Sequence, residues 1–361
     1  MSVRQRHQAE ASGVGVRRAH QAWTGILLRA SITQAPDLMT PPHTAITGTT
    51  HGIGEVTAHE LALAGHNLTL LVRNRLLGEQ QAAALRAIHP RGDARIEVIE
   101  CDLARLASVR EAAAQCIATG PRLTHLINNA GLTRIRRLWT EDGFESVFAV
   151  NQLGPFLLTE LLRPHLAEHA RIINVASCAH EQAHALDGHG IARHGAMVYP
   201  HHDAASPAPQ ALSAPSAPHA AHALSAPPSR HPRYRPQQVY AQSKLANILW
   251  TLALARRLQG STVTVHCLHP GVVHTRLLPW PVRLLKPLLR RGMITAQEGA
   301  RTTLYLALHP QPRTLHGAYL DEHQNPCQPS ALARDEALQE WLWQACEHWT
   351  DPHRTLATAA I

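Results

Sequence analysis

From His43 onward, short apolar runs alternate with longer stretches in which apolar and polar residues mix. The runs predict strands near 43–47, 67–72, 95–100, 124–128, 170–176, 262–268 and 317–321. The stretches between them read as helices, and a last helix is expected over about 331–349. His43-Thr44-Ala45-Ile46 has the form of a short buried strand, and Glu55 to Ala64 that of a helix with Val56, Leu61 and Leu63 among its apolar residues. Such alternation predicts an α/β fold: one doubly wound domain around a central, mostly parallel seven-stranded sheet flanked by helices. No uninterrupted apolar run reaches the roughly 18 residues needed to span a bilayer.

Two segments break the pattern. Residues 1–38 are Arg-rich and acid-poor, without a strong apolar period, and Met39 stands just before the first strand. The expectation is a disordered extension with the native start at Met39; a targeting peptide is the alternative. Residues 184–236 are rich in His, Ala, Pro and Ser, as in Ala204-Ala205-Ser206-Pro207-Ala208-Pro209. Such a composition buries too little apolar surface to offset the ordering of the chain, so a mobile insertion is expected within a domain spanning 39–350. Its histidines, with His180 just upstream, are irregularly spaced and lack an acidic or thiol cluster, so compositional bias is expected and no metal site. Residues 351–361 are expected to be a flexible tail.

Composition changes this picture little. The chain of 361 residues carries a formal net charge of +8. Nucleic acid is the first reading of a basic chain, yet much of the excess lies in the N-terminal arm and around 276–291, outside the regular pattern. No nucleic-acid partner is therefore expected. The six cysteines are scattered without a Cys-x-x-Cys pair, which points to reduced thiols in a cytoplasmic protein.

Chemistry concentrates in two places. Thr47-Gly48-Thr49-Thr50-His51-Gly52-Ile53-Gly54 joins a predicted strand to a predicted helix. Glycines there let the backbone approach a pyrophosphate, and a helix N-terminus offers it unpaired N–H donors. The spacing is Gly-xxx-Gly-x-Gly, and a turn with no ligand would look the same. Tyr240-Ala241-Gln242-Ser243-Lys244 sets a phenol and an ammonium four residues apart on one helix face. A nearby ammonium favours the phenolate and would lower the tyrosine pKa. Alone, that spacing describes many helix surfaces. A nucleoside-triphosphate site is disfavoured, because no Gly-Lys-Ser/Thr phosphate loop occurs.

Taken with Asn128-Asn129-Ala130-Gly131, Asn151 and Ser177, these motifs stand in the order found in short-chain dehydrogenases/reductases, whose domain is of Rossmann type. The chain resembles their retinol-dehydrogenase-like branch in Leu71-Val72-Arg73-Asn74, Cys101-Asp102-Leu103 and Asp142-Gly143-Phe144-Glu145. The likeness continues in Val150-Asn151-Gln152-Leu153-Gly154-Pro155-Phe156, Gln242-Ser243-Lys244-Leu245-Ala246-Asn247, Leu268-His269-Pro270-Gly271-Val272-Val273 and Glu298-Gly299-Ala300. It covers roughly 43–350. The resemblance implies a cofactor cleft lined by Gly48, Thr50, His51, Gly52, Ile53, Gly54, Arg73 and Asn74. Asp102 and Leu103 would flank the adenine. Asn129, Ala130 and Gly131 would line the cleft beside Pro270, Gly271 and Val273, and Thr275 would hold the nicotinamide amide.

Arg73 stands at the end of the second predicted strand, where NAD-binding relatives of such folds carry a carboxylate for the ribose 2′-hydroxyl. A guanidinium pairs instead with a 2′-phosphate, so NADP(H) is expected. Hydride arriving at a carbonyl carbon leaves negative charge on the oxygen. Tyr240 is the expected general acid, acting as base in reverse. Lys244 would lower its pKa and bind the nicotinamide ribose, and Ser177 would hydrogen-bond the carbonyl oxygen. By resemblance alone, Asn151 would hold a water linking Lys244 to solvent.

The segment from Leu277 to Leu289 mixes Leu, Trp and Val with Arg and Lys. In the family this position forms the substrate lid. It suits a hydrophobic aldehyde, ketone or alcohol, retinoid-like or fatty, and its basic side could meet an anionic membrane surface peripherally. The resemblance also implies a homodimer or homotetramer, with a monomer left open. The expected activity is an NADP(H)-dependent oxidoreductase acting on CH–OH groups; the alternative is a non-catalytic NADP(H)-binding sensor or scaffold.

Overall fold

A parallel strand covered by helices on both sides has no solvent face, so its side chains are buried throughout and any polar one needs a partner inside. The first strand meets that condition, with all of His43–Thr47 buried. A computed structural model of the chain describes residues 41–186, 191–192, 234–273, 294–310 and 315–351. The unit described is the one that begins at Pro42.

Its elements in order are β1 (His43–Thr47), α1 (Ile53–Leu63), β2 (Asn67–Val72), α2 (Arg75–Ile88), β3 (Ile96–Glu100), α3 (Leu106–Thr119) and β4 (Leu123–Asn128). A helical run, α4, follows: Ser146–Phe148, a π-turn at Ala149–Leu153, and Gly154–Leu162. Then come β5 (Leu166–Val175), α5 (Pro236–Arg257), β6 (Thr264–Leu268), α6 (Ala296–Leu308), β7 (Tyr319–Leu320), β8 (Pro326–Cys327) and α7 (Glu336–Thr350).

The sheet order is β3-β2-β1-β4-β5-β6-β7-β8. Every pairing from β3 to β7 is parallel, and β8 adds an antiparallel edge. The fold is therefore the expected doubly wound α/β domain, with eight strands where seven were predicted. The extra strand is two residues long and too short to leave a pattern. A tight turn makes it: the Asp321 carboxylate accepts from the N–H groups of His323 and Asn325, both at 2.8 Å, and Gln324 takes a positive φ of 70°.

One apolar layer joins α1, α2 and α6 to the sheet through Leu61, Leu85, Leu304 and Leu306. The other joins α3, α4, α5 and α7 through Val109, Phe156, Trp250 and Leu342. The order in which successive strands are added reverses between the parallel neighbours β1 and β4, which opens a crevice beyond their C-terminal ends. The turns carrying Gly48–Gly54 and Asn129–Gly131 leave from these two strands.

The expectations for residues 1–38, for most of 184–236, for the lid at 277–289, for Thr275 and for the tail after Asp351 lie outside the described residues. Both ends of the insertion do fall within them. The Ile191 carbonyl accepts from the Glu145 N–H at 2.8 Å, and Tyr234 places its hydroxyl 3.4 Å from the Glu145 carboxylate. Two distant points of the sequence thus converge on the N-cap of α4.

Candidate active site

The glycine turn is shaped by contact rather than by flexibility alone. Gly48 has φ 70° and Gly52 φ 68°, values that L side chains rarely adopt. Gly54 approaches the Gly48 carbonyl so closely that a Cβ would collide with it and with Asn129 Nδ2. Asn129 donates to the carbonyls of Thr47 at 2.9 Å and Gly48 at 3.1 Å, so β4 holds the turn in place. Gln81 on α2 donates to the Thr49 carbonyl at 2.7 Å. No side chain caps the N-terminus of α1, which leaves its first N–H groups for an anionic ligand. This turn fits a pyrophosphate.

The flanking residues follow the C-terminal ends of their strands. Arg73 is exposed at the end of β2 and has no ion-pair partner among the described residues. Asn74 caps α2 by accepting from the Leu77 N–H. His51 is exposed, with Nδ1 3.3 Å from the Thr50 hydroxyl. Asp102 accepts from the Ala104 N–H at 3.0 Å, and Leu103 is buried against Gly154 of α4. Ala130 donates its N–H to the Thr47 hydroxyl. Pro270, Gly271 and Val273 follow β6, and Val273 bridges to Ile294.

Asn151, Ser177, Tyr240 and Lys244 come from three elements and meet at this crevice. Asn151 sits in the π-turn of α4. Ser177 follows the end of β5 and caps a short 3-10 turn by accepting from the Ala179 N–H. Tyr240 and Lys244 share one face of α5, with the ammonium 5.8 Å from the ring centroid. The Ser177 side chain stands near the Tyr240 phenol and favours its ionised form. Gly131 closes the group: a Cβ there would lie 3.5 Å from Asn151 Oδ1 and 3.6 Å from Lys244 Nζ.

The electrostatics differ from the simple expectation. Burial pushes the Tyr240 phenol up to about 12, against a lowering influence from the nearby Ser177 hydroxyl. Burial also lowers the Lys244 ammonium to about 8. The expected lowering of the tyrosine by the lysine does not prevail, because the ammonium is directed elsewhere. Lys244 donates to the Val175 carbonyl at 2.8 Å and to Asn247 Oδ1 at 3.2 Å.

Three supporting residues escaped the reading of the sequence. Asn247, which lies inside a quoted motif, donates to the Asn151 carbonyl at 2.7 Å and to Gln152 Oε1 at 2.9 Å. Ser243 accepts from the Asn151 amide at 3.0 Å and donates to the Tyr240 carbonyl at 2.7 Å. His180, read as compositional bias, is fully buried. It accepts the Ser330 N–H at Nε2, so Nδ1 carries the proton and donates to the Ser177 carbonyl at 2.9 Å. All three gain meaning from partners remote in sequence.

Fold and crevice define a doubly wound dinucleotide-binding protein. The short chain dehydrogenase family model matches residues 42–188. Mouse "Retinol dehydrogenase 14" is 35% identical over 331 residues, covering 86% of each chain. Human "Retinol dehydrogenase 12" is 35% identical over 311 residues, covering 84% of each. Among solved structures, an uncharacterised protein of Mycobacterium paratuberculosis matches with a TM-score of 0.62 and 30% identity, over 88% of this chain and 98% of that one. A metagenomic blue fluorescent protein in complex with NADPH shares the fold, with a TM-score of 0.56 at 22% identity, over 78% of this chain and 95% of that one. The chain belongs to the short-chain dehydrogenase/reductase family of oxidoreductases, in its retinol-dehydrogenase-like branch. Among the described residues, no helix is long and apolar enough to cross a membrane.

Proposed function

We propose that this protein is an NADP(H)-dependent oxidoreductase that interconverts a hydrophobic aldehyde or ketone and its alcohol. The observation that carries this reading is the meeting of the Ser177 hydroxyl, the Tyr240 phenol and the Lys244 ammonium beside Gly131. When bound, a nicotinamide supplies or accepts the hydride. The turn from Gly48 to Gly54, with Thr50, His51 and Ile53, would hold its pyrophosphate, and Asp102 and Leu103 the adenine. Asn129, Ala130, Gly131, Pro270, Gly271, Val273 and Thr275 would line the remainder of the cleft.

Arg73, with Asn74 beside it, would pair with a 2′-phosphate; an exposed guanidinium without a carboxylate partner suits that anion. Ser177 would donate to the substrate oxygen and stabilise the charge that develops there. Tyr240 would give that oxygen its proton, and take one back in the reverse direction. Lys244 would stabilise the phenolate once its charge is turned toward the phenol. Asn151 would serve through its main-chain carbonyl, since its side chain is engaged with Leu132 and Ser243; one carbonyl lone pair accepts Asn247 and a second remains for a water. All six cysteines are free thiols, which supports a reducing, cytoplasmic setting.

The substrate class rests on the names of the retinol dehydrogenase relatives and on the apolar composition of 277–289. The test is oxidation of NADPH against NADH over a panel of medium- and long-chain aldehydes, retinal and simple ketones. Turnover that prefers NADPH and lengthens with the apolar chain is expected. Binding of NADPH without turnover on any carbonyl would contradict the enzymatic reading.

A further inference from the structure

Helix α4 has a gap in its hydrogen-bond ladder that the sequence makes unavoidable. The Asn151 carbonyl would ordinarily accept from the N–H four residues on, but that residue is Pro155, which has none. The helix passes this point as a π-turn, with Gly154 donating back to Ala149. A buried carbonyl without its helical donor needs another one. Asn247, reaching across from α5, supplies it at 2.7 Å.

The amide of Asn247 has only one orientation here. A main-chain carbonyl can only accept and an ammonium can only donate, so Nδ2 must face Asn151 and Oδ1 must face Lys244. Both Nδ2 hydrogens are used, on the Asn151 carbonyl and on Gln152 Oε1 at 2.9 Å. Oδ1 accepts from Lys244 Nζ at 3.2 Å. With the bond to the Val175 carbonyl at 2.8 Å, two of the three ammonium hydrogens are fixed and one is left. Gln152 is itself buried and reaches Cys346 Sγ on α7 at 3.8 Å, so the amide is anchored on its far side too. Thr251 donates to the Asn247 carbonyl at 2.7 Å and accepts from Asn174 of β5 at 2.9 Å.

We propose that Asn247 is a positioning residue: its side-chain amide clamps the Lys244 ammonium to the π-turn that carries Asn151, and so fixes where the remaining lysine hydrogen points. This deepens the oxidoreductase reading and rests on it. Asparagine is required because the place needs two donors and one acceptor on a short side chain. Aspartate would lack the donors, and serine would lack both reach and number. Around Lys244 stand the Val175 carbonyl of β5, Gly131 after β4, Asn151 of α4, and Tyr240 and Asn247 of α5. Tyr240 is the titratable group among them, and no carboxylate pairs with Lys244 among the described residues.

The chain has only two lysines, Lys244 and Lys286. Protein labelled with 13C at lysine Cε therefore gives two resonances, and Lys286→Arg leaves Lys244 alone. Asn247→Asp sets a carboxylate of the same shape against the ammonium, so the Lys244 titration midpoint should rise by about one pH unit or more. The alkaline limb of the kcat profile should move with it, while KM for the carbonyl substrate stays. A folded Asn247→Asp variant whose Lys244 midpoint is unmoved overturns the proposal.

Loss of folding in that variant does not shield the idea. In the unmutated protein, the Asn247 side-chain amide signals should shift with the same midpoint as Lys244 Cε; amide signals that ignore the lysine overturn the clamp. Failure of the underlying reading looks different. An unmutated protein that binds NADPH but transfers no hydride would refute the oxidoreductase, while the coupling between the two resonances would be judged by itself.

Discussion

Arg73 exemplifies the residue scale, where one side chain selects between two ligands. Its guanidinium is exposed at the end of β2 without an ion-pair partner among the described residues. Arg73→Ala should weaken NADPH at least about tenfold, equivalent to one charge-assisted hydrogen bond of roughly 1.4 kcal/mol, and leave NADH nearly unchanged. Titration of nucleotide fluorescence measures both, and equal losses for the two cofactors would remove Arg73 from the 2′-phosphate. The place of Arg73 at the end of β2 was legible in sequence because the end of a buried apolar run is local. His180 and Asn247 were not, since each is defined by partners as remote as Ser330 and Asn151. The altered electrostatics of Tyr240 and Lys244 were hidden for the same reason, because burial is a property of the packed domain.

Elements show how much local pattern can carry. The runs His43–Thr47 and Asn67–Val72 form strands at the residues where they were expected, because both are short, almost free of charge and rich in β-branched and aliphatic residues that suit a buried strand. β5 begins earlier than predicted, at Leu166. His169 takes a positive φ of 59° there and the register against β4 shifts, an irregularity that hides the strand in a polar stretch. The π-turn is likewise invisible to periodicity, though Gly154-Pro155 marks the place where an ordinary ladder fails. The turn between β1 and α1 gives the element-scale prediction. In Gly54→Ala the new methyl meets the Gly48 carbonyl and the Asn129 amide. A cost of roughly 1–3 kcal/mol is expected from overpacking, together with a loss of NADPH affinity. Thermal unfolding and nucleotide binding check both, and an alanine variant with unchanged affinity would mean that this turn does not touch the cofactor.

At the scale of the whole molecule, the N-terminal ends of β1 and β2 hold buried histidines that impose a pH dependence. Burial lowers His43 and His66 from 6.5 to about 4. His43 faces Arg95, Glu97 and His165, while His66 faces Arg171, His89 and His43. The unfolded chain takes up these protons near pH 6.5 and the folded one only near 4, so stability falls as pH drops through that window and levels off below it. Each histidine contributes on the order of 3 kcal/mol of that loss. Urea unfolding at a series of pH values should show the slope, and His66→Asn should roughly halve it, leaving the share of His43; a flat profile in the unmutated protein would contradict neutral burial. At the opposite, C-terminal ends of the strands, β1, β4, β5 and α5 border the crevice, which is read as the place of hydride transfer with Tyr240 handling the proton. Single-turnover oxidation of NADPH by a long-chain aldehyde, compared between the unmutated protein and Tyr240→Phe at equal NADPH saturation, tests that claim most directly. The account predicts a rate lower by roughly a thousandfold with NADPH affinity retained, and equal rates in the two proteins would contradict it.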